Sequence, residues 1–338
     1  MTDLAAPRRP VPAQTGAGDR GTPGAPDPAD VQRVVRRLLQ VPDSLRRFTL
    51  TEEMARRVHR IGPQLLADLV PAGMPAVGSG ADRLFDGYDL GNAALHLGLV
   101  SIQRRAIRSW ATALRTAGGD RPGFRVDVVG SCPIPRHPGP CRYDVLQAGG
   151  GRRRVSAAGP GEVELDRLTV RCAPDGPALP EEIRGLLREL DPVDFFLLPE
   201  AIRWDHDFLW RTGMADCGGT ADWLVAEGRR RGLAVRFAFG LLLARPYSTP
   251  HCWAEFLVDG RWVAVDPVLI RAMAAWGGLD LASYPVHTRL DAVVHRLTDH
   301  FTKVASHGGV WAPISMRTEW IDEPGAGTGG EAGRERLA

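Results

Sequence analysis

The chain has 338 residues, of which 44% are hydrophobic, so it is long enough for one large globular domain or two modest ones. Its 42 Lys and Arg side chains nearly balance 40 Asp and Glu side chains, which leaves a formal net charge of +2. This balance argues against partners such as nucleic acid or a charged membrane surface. Almost all of the positive charge is arginine, a bias typical of GC-rich bacterial genomes.

The N-terminal segment 1–29 is rich in Pro, Gly and Ala. It has too few apolar residues to offset the entropy of ordering, so we expect it to be disordered. It has no apolar stretch typical of a secretory signal, and no part of the chain reaches the ~18 apolar residues of a membrane span. The five cysteines are an odd number and widely spaced, which favours reduced thiols. We therefore expect a cytoplasmic protein that does not bind membranes.

Residues 30–120 carry apolar side chains at helical spacing, for example Val31, Val34 and Leu38, and form a predicted helical packing region. Residues 121–192 change to alternating apolar and polar side chains between glycine turns, which predicts a strand-rich segment.

A short helix is expected from Pro180 to about Leu190, because two acids occupy its first turn. The segment 193–322 then contains the candidate catalytic residues and is the predicted catalytic core. Residues 323–338 are Gly-rich and form a second predicted disordered tail.

Cys217 is predicted to begin a helix, with Asp216 as its N-cap and Gly232 just beyond its C-terminal end. At a helix N-terminus, unpaired N–H groups and the macrodipole favour thiolate over thiol. Gly218 adds no side-chain bulk beside the sulfur, so a substrate carbonyl can approach the backbone N–H groups, that of Cys217 included. The alternative is a small buried residue that happens to start a helix.

His251 and Asp266 lie on two strands joined by the predicted hairpin turn Asp259-Gly260. In the register that this turn sets, Asp266 faces Trp253, and His251 shares a face with Trp253 by alternation. The two residues are therefore diagonal neighbours about 7–8 Å apart at the backbone. A carboxylate in that place fixes the tautomer of an imidazole and stabilises its cation. Taken alone, His251 can be a core histidine before a strand, and Asp266 an aspartate that ends a strand before proline. Cys252 lies on the opposite face and is interpreted as a packed core thiol.

The order of these elements resembles the transglutaminase-like superfamily. The stretches that carry the resemblance are Cys217-Gly-Gly-Thr-Ala, Gly232-Leu-Ala-Val-Arg236, His251-Cys-Trp-Ala-Glu-Phe and Gly260-Arg-Trp-Val-Ala-Val-Asp-Pro267.

The resemblance implies an α+β fold with a papain-like core, in which a cysteine on a helix N-terminus packs against an antiparallel sheet. In such a core Cys217 attacks a carbonyl, His251 takes and returns protons, and Asp266 orients His251. No cofactor is implied.

Members of the superfamily often add a polar or indole donor upstream of the cysteine to complete the oxyanion hole. Trp204, His206 and Trp210 are candidates for that donor, and Trp253 is a further candidate near the substrate. Aromatic packing beneath the cysteine helix is the alternative for the upstream residues.

No metal site is expected. Cys132, His137 and Cys141 are spaced like metal ligands, but the sequence offers no fourth ligand beside them. The aspartates near Cys217 do not form a calcium-loop pattern.

Two catalytic outcomes and one binding role remain open at this stage. A Cys217 acyl-thioester formed from a peptide or a carrier-protein thioester can pass its acyl group to an amine, as in amide-forming enzymes of natural-product biosynthesis. With water as acceptor the protein is a cysteine peptidase or amidase. A non-catalytic binding module is the third alternative. The predicted cytoplasmic setting favours transfer to an amine.

Overall fold

The structure is a computed structural model that describes residues 26–117, 123–171 and 176–321. The two predicted disordered tails lie outside these residues, except that the first helix already begins at Pro28. Helices pack beside mainly antiparallel sheets, so the predicted α+β class is confirmed. In the part of the chain that is described, no helix is long and apolar enough to cross a membrane.

The helices of the described residues are short to medium in length. They are α1 (Pro28–Leu38), α2 (Glu52–Met54), α3 (Pro63–Leu69), α4 (Gly87–His96), α5 (Ile102–Thr116), α6 (Glu181–Glu189), α7 (Glu200–Arg203), α8 (His206–Thr212), α9 (Cys217–Arg230) and α10 (Pro267–Gly277). Single turns of 3₁₀ or π helix cover Asp43–Leu45, Ala55–His59 and Gly80–Asp82.

The strands follow the same chain order. They are β1 (Phe48–Thr51), β2 (Leu84–Asp86), β3 (Gly123–Gly130), β4 (Cys141–Leu146), β5 (Arg152–Ala157), β6 (Val163–Arg171), β7 (Asp194–Phe195), β8 (Met214–Ala215), β9 (Val235–Leu242), β10 (Thr249–Val258), β11 (Arg261–Val265), β12 (Val294–Thr298), β13 (Ala305–His307), β14 (Val310–Trp311) and β15 (Ile314–Ile321).

The N-terminal region is helical with one small two-stranded antiparallel sheet, β1–β2, inside it. Its first helix buries the apolar face read from the sequence, including Val31, Val34 and Leu38. A buried ion pair joins Arg46 Nε to Asp89 Oδ2 at 2.7 Å. This sheet was not anticipated, because its strands are only three or four residues long and far apart in the chain.

The central sheet has the strand order β11-β10-β9-β12 and is antiparallel throughout. Asp259 and Gly260 form the β10–β11 turn with φ of 49° and 75°, the left-handed conformation that a two-residue hairpin of this type requires. Val258 pairs with Arg261 along the ladder. The predicted register is confirmed.

The C-terminal strands complete two sheets that begin much earlier in the chain. One has the order β14-β13-β4-β5, and the other β15-β3-β6. Strands from 123–171 are thus hydrogen-bonded to strands that follow the central sheet. This pairing brings the loop between β3 and β4 next to the end of β13.

Candidate active site

Cys217 is the first residue of α9, and its side chain is partly exposed. Asp216 caps the helix, because its Oδ1 accepts hydrogen bonds from the N–H groups of Gly218 and Gly219 at 3.0 and 3.1 Å. The Gly218 N–H is therefore already bonded to a carboxylate. Among the described residues, no acceptor forms a hydrogen bond with the N–H of Cys217 itself. This N–H is therefore the donor of the helix N-terminus that lies beside the sulfur.

The two glycines after Cys217 allow the end of α7 to lie against the first turn of α9. A Cβ added to Gly218 would lie 2.4 Å from Arg203 Cδ and 3.0 Å from Trp204 Cη2. A Cβ on Gly219 would lie 2.5 Å from the Arg203 carbonyl oxygen. Close packing therefore explains the Cys-Gly-Gly sequence, and it places Trp204 beside the helix end that bears the thiol.

His251 and Asp266 meet as the register predicts. Their Nε2 and Oδ2 atoms are 3.0 Å apart, and both side chains are buried, with exposures of 4% and 1%. The other carboxylate oxygen of Asp266 accepts the Leu269 N–H at 2.9 Å, so the same residue caps α10. The helix end holds the carboxylate in place, and the carboxylate in turn holds the imidazole.

Trp253 supports the imidazole from within the core. Its ring is stacked with that of His251 at 6.4 Å between centroids and 14° between planes. Its side chain is fully buried, and its indole N–H donates to Glu255 Oε1 at 3.1 Å. Glu255 Oε2 accepts from Arg236 Nε at 2.6 Å. Because its N–H is already bonded, Trp253 supports the site rather than offering a donor to a substrate.

The sulfur of Cys217 interacts with both residues at the start of β10. A hydrogen bond from the Cys252 thiol, followed by the charge and hydrogen bond of His251, lowers the pKa of Cys217 well below its ordinary value, against the opposing effect of burial. The backbone N–H of Cys252 adds to the lowering of this pKa. The hydrogen bond to Cys217 and burial raise the pKa of Cys252 well above normal, so it stays a protonated donor.

Burial alone lowers the pKa of His251. The charge of the Cys217 thiolate and the hydrogen bond to Asp266 outweigh burial and raise that pKa to about 10. A thiolate and an imidazolium therefore stabilise each other over the neutral pH range. This is the ion pair from which a nucleophilic cysteine reacts.

Arg203 and Asp216 form a second charged pair behind the thiol, with Nε and Oδ2 2.6 Å apart. Burial and the charge of Cys217 raise the pKa of Asp216 to about 7, although Arg203 opposes both. The guanidinium also lies over the rings of Trp204 and Phe301, at 5.7 and 5.0 Å from their centroids. Arg203 thus joins the helix cap to the aromatic side chains around the site.

A group of aromatic side chains, here called the aromatic wall, lies beside the N-terminal end of α9. It is made of Trp204, Phe237, Phe239, Phe301 and Trp311. The Phe301 ring is its centre, 5.7 Å from Trp204, 5.4 Å from Phe239 and 6.0 Å from Trp311.

The other upstream candidates have different surroundings. Trp210 packs edge-on against Trp223 at 5.1 Å, within an apolar cluster separate from the one that Cys217 joins. His206 Nε2 lies 2.9 Å from Asp222 Oδ2 on the side of α9. Of the three upstream residues named from the sequence, Trp204 is the one whose ring lies against the Cys217 turn.

Sequence reasoning missed Arg203 and Phe301, and it interpreted Cys252 only as a core thiol. Cys252 is indeed buried in the core, but its thiol also lowers the pKa of Cys217. Strand alternation gives the face that a side chain takes, not how near a helix end approaches that strand. Arg203 and Phe301 lack any local signal, since their partners are set by tertiary packing.

A group that can hold a metal ion lies away from the thiol centre. Cys132, His137 and Cys141, set aside for want of a fourth ligand, are joined by His307 from β13. The reason for excluding a site was therefore wrong, because the fourth group is remote in sequence and adjacent in space.

The helix-borne thiol, the buried His–Asp pair and the antiparallel sheet together define the core of a cysteine-based enzyme family. Residues 200–267 match the family model of the transglutaminase-like superfamily, from α7 to the first residue of α10. The predicted resemblance to this superfamily is thus confirmed over this segment. The comparison with curated proteins gave no match.

Proposed function

We propose that the protein is a thiol acyltransferase that forms an acyl-thioester on Cys217 and passes the acyl group to an amine. The observation that carries this proposal is the thiolate–imidazolium environment, in which His251 and Cys252 lower the pKa of Cys217 and Asp266 holds His251 at 3.0 Å. Such a thiolate attacks an acyl carbon at neutral pH without a separate activating step.

In the first half-reaction, the Cys217 sulfur adds to the carbonyl carbon of the donor. The donor is a peptide amide or a carrier-protein thioester. The N–H of Cys217 and the indole N–H of Trp204 are the proposed donors to the tetrahedral oxyanion. The C–N or C–S bond then breaks, and His251 gives its proton to the leaving amine or thiol.

In the second half-reaction, an amine adds to the thioester carbonyl and His251 accepts its proton. The C–S bond breaks and the amide leaves, which restores the thiolate and the imidazolium. Asp266 keeps the Nε2 side of the ring bonded throughout, so the other ring nitrogen, Nδ1, faces the reacting groups.

The aromatic wall supports an amine rather than water as the acceptor. Trp204, Phe301 and their neighbours enclose the helix end in apolar surface, which limits the water that reaches a bound thioester. A groove of about 360 Å³ runs along the start of β10 and reaches Pro250, the residue before His251. We assign the acceptor to this groove; its lining is Tyr247, Ser248, Thr249, Pro250, Ile314, Ser315 and Met316.

The test is product partition from a small acyl thioester in the presence and absence of a primary amine. Wild type is expected to give amide, Cys217→Ala no product above background, and Trp210→Phe, remote from the sulfur, wild-type behaviour. Free acid as the only product at saturating amine would identify a hydrolase instead. A folded wild type that consumes no thioester of any acyl class would point to a binding module.

A further inference from the structure

Four potential metal ligands converge where the β3–β4 loop meets the end of β13. Cys132 and His137 lie in the loop, Cys141 is the first residue of β4, and His307 is the last residue of β13. The ligand atoms of the four side chains all lie within 4.8 Å of one another. The pairing of β13 with β4 brings His307 to this place, opposite Tyr143 in the ladder.

The spacing of the donor atoms suits a tetrahedral ion. Zn–S bonds of about 2.3 Å and Zn–N bonds of about 2.0 Å place neighbouring ligand atoms roughly 3.3–3.8 Å apart. His137 Nδ1 is already 3.2 Å from Cys141 Sγ. The rings of His137 and His307 are 4.8 Å apart and nearly perpendicular, at 71°, as two imidazoles on one ion can be.

His307 has the hydrogen bonding of a metal-ligating histidine. Its Nδ1 lies 2.8 Å from the Arg142 carbonyl oxygen and 3.2 Å from the Arg142 nitrogen; the shorter contact fits an Nδ1–H that donates to the carbonyl. The side chain is 7% exposed, and its Nε2 has no hydrogen-bond partner among the described residues. A buried ring nitrogen without a partner is costly, and a metal ion satisfies it.

We propose that Cys132, His137, Cys141 and His307 bind a Zn²⁺ ion. Two thiolates and two imidazoles are the donor set that zinc prefers over the hard cations, which select oxygen. Because all four positions are supplied by the protein, the site is structural rather than catalytic. Binding releases the thiol protons of Cys132 and Cys141 to solvent.

The ion adds a further link between three parts of the chain, two of which, β4 and β13, already pair as neighbouring strands. It fixes the β3–β4 loop to the β4 edge and to the end of β13. The segment that leads into β13 carries Phe301, and β14 after it carries Trp311, so these two neighbouring members of the aromatic wall flank the ligand strand. The ion therefore stabilises β13, the strand between these two aromatic residues.

The test is metal content and a cobalt spectrum of the full-length chain. Purified wild type is expected to keep about one zinc per chain through gel filtration. After chelation and reduction, titration with Co²⁺ is expected to give the visible bands of tetrahedral cobalt together with a thiolate-to-cobalt charge-transfer band.

Matched variants assign the ligands. Cys132→Ser with Cys141→Ser, and separately His307→Gln, are expected to lose the zinc and the charge-transfer band. Two control variants are expected to keep the zinc and the charge-transfer band. Cys217→Ser removes the thiol that, with Cys132, is part-exposed among the described cysteines. His300→Gln removes an exposed histidine that precedes β13. Loss of the metal in Cys217→Ser, its retention in the double serine variant, or a wild type that binds neither zinc nor cobalt would overturn the proposal. The wild-type titration decides the matter even if a variant fails to fold.

Discussion

Several groups act together on the sulfur atom of Cys217 and lower its pKa. The α9 N-terminus, the Cys252 thiol and the His251 imidazolium all favour the charged form, while burial opposes it. None of these contributions is visible in the cysteine alone. The pKa of Cys217 is therefore expected to rise when either His251 or Cys252 is replaced.

Replacing His251 with Asn is expected to raise the pKa of Cys217 toward the ordinary thiol value of about 8.5. In wild type the lowered pKa keeps the thiolate through neutral pH, so the rate of iodoacetamide alkylation falls only as the pH drops through that low value. In His251→Asn the inflection is expected to move to higher pH. Identical pH profiles for the two proteins would contradict the ion pair.

Replacing Cys252 with Ala is expected to raise the pKa of Cys217 as well, because it removes the largest lowering contribution. Cys252→Ser is the matched control, since its hydroxyl keeps a donor of similar size. The alkylation profile of the alanine variant should shift to higher pH and that of the serine variant less. Equal profiles for all three proteins would show that Cys252 only fills space.

At the scale of elements, local turn and cap chemistry predicted much of the site. Asp216 and Gly232 mark the ends of α9 as expected, and Gly232 has the left-handed φ of 76°. The Asp259-Gly260 turn set the register that places His251 beside Asp266. These features are encoded within a few residues, so they can be read without knowing the rest of the fold.

Gly219→Ala tests the contact between α7 and α9. Alanine improves intrinsic helix propensity by about 1 kcal/mol, but its Cβ would lie 2.5 Å from the Arg203 carbonyl oxygen, a backbone atom that cannot rotate away. We expect a net loss of about 1–3 kcal/mol in the free energy of unfolding, measured in urea.

Gly161→Ala is the control for that experiment, because its added Cβ meets no atom within 4 Å. It is expected to change the unfolding free energy little. A Gly219→Ala protein as stable as wild type would mean that the end of α7 does not lie against α9.

At the scale of the whole molecule, the N-terminal helices pack directly on the helix that follows Asp266. Gly277 near the end of α10 faces α5, where an added Cβ would lie 2.9 Å from Ala111 Cβ and 3.0 Å from the Ile107 carbonyl oxygen. Asn92 bonds both the N–H and the carbonyl of Leu197, at 2.8 and 2.9 Å. The helical region is thus part of the support of the core.

Gly277→Val is expected to separate α5 from α10 and to cost about 1–3 kcal/mol of unfolding free energy. Ala275→Val, at an exposed position of the same helix, carries the same side chain without the clash. Urea unfolding of both variants measures the difference. Equal stabilities would contradict the packing of α5 against α10.

The long-range arrangement was the part that sequence could not supply. Hydrogen bonding of β13 to β4 and of β15 to β3 joins segments more than 150 residues apart, and no local pattern encodes which strands pair. The same pairing brings His307 beside Cys132 of the β3–β4 loop and Cys141 of β4. Local signals thus gave the positions of Cys217, His251 and Asp266 on their elements. The surroundings of Arg203, Phe301 and His307 depend on the whole fold.

The central claim is that Cys217 carries an acyl group during turnover. Mixing the protein with an acyl thioester, without acceptor, and stopping the reaction in acid allows the intact mass and the modified peptide to be determined. We expect one added acyl group on the peptide containing Cys217, removable by hydroxylamine and absent in Cys217→Ala. An acyl group on another residue, or the same mass increase in Cys217→Ala, would contradict it.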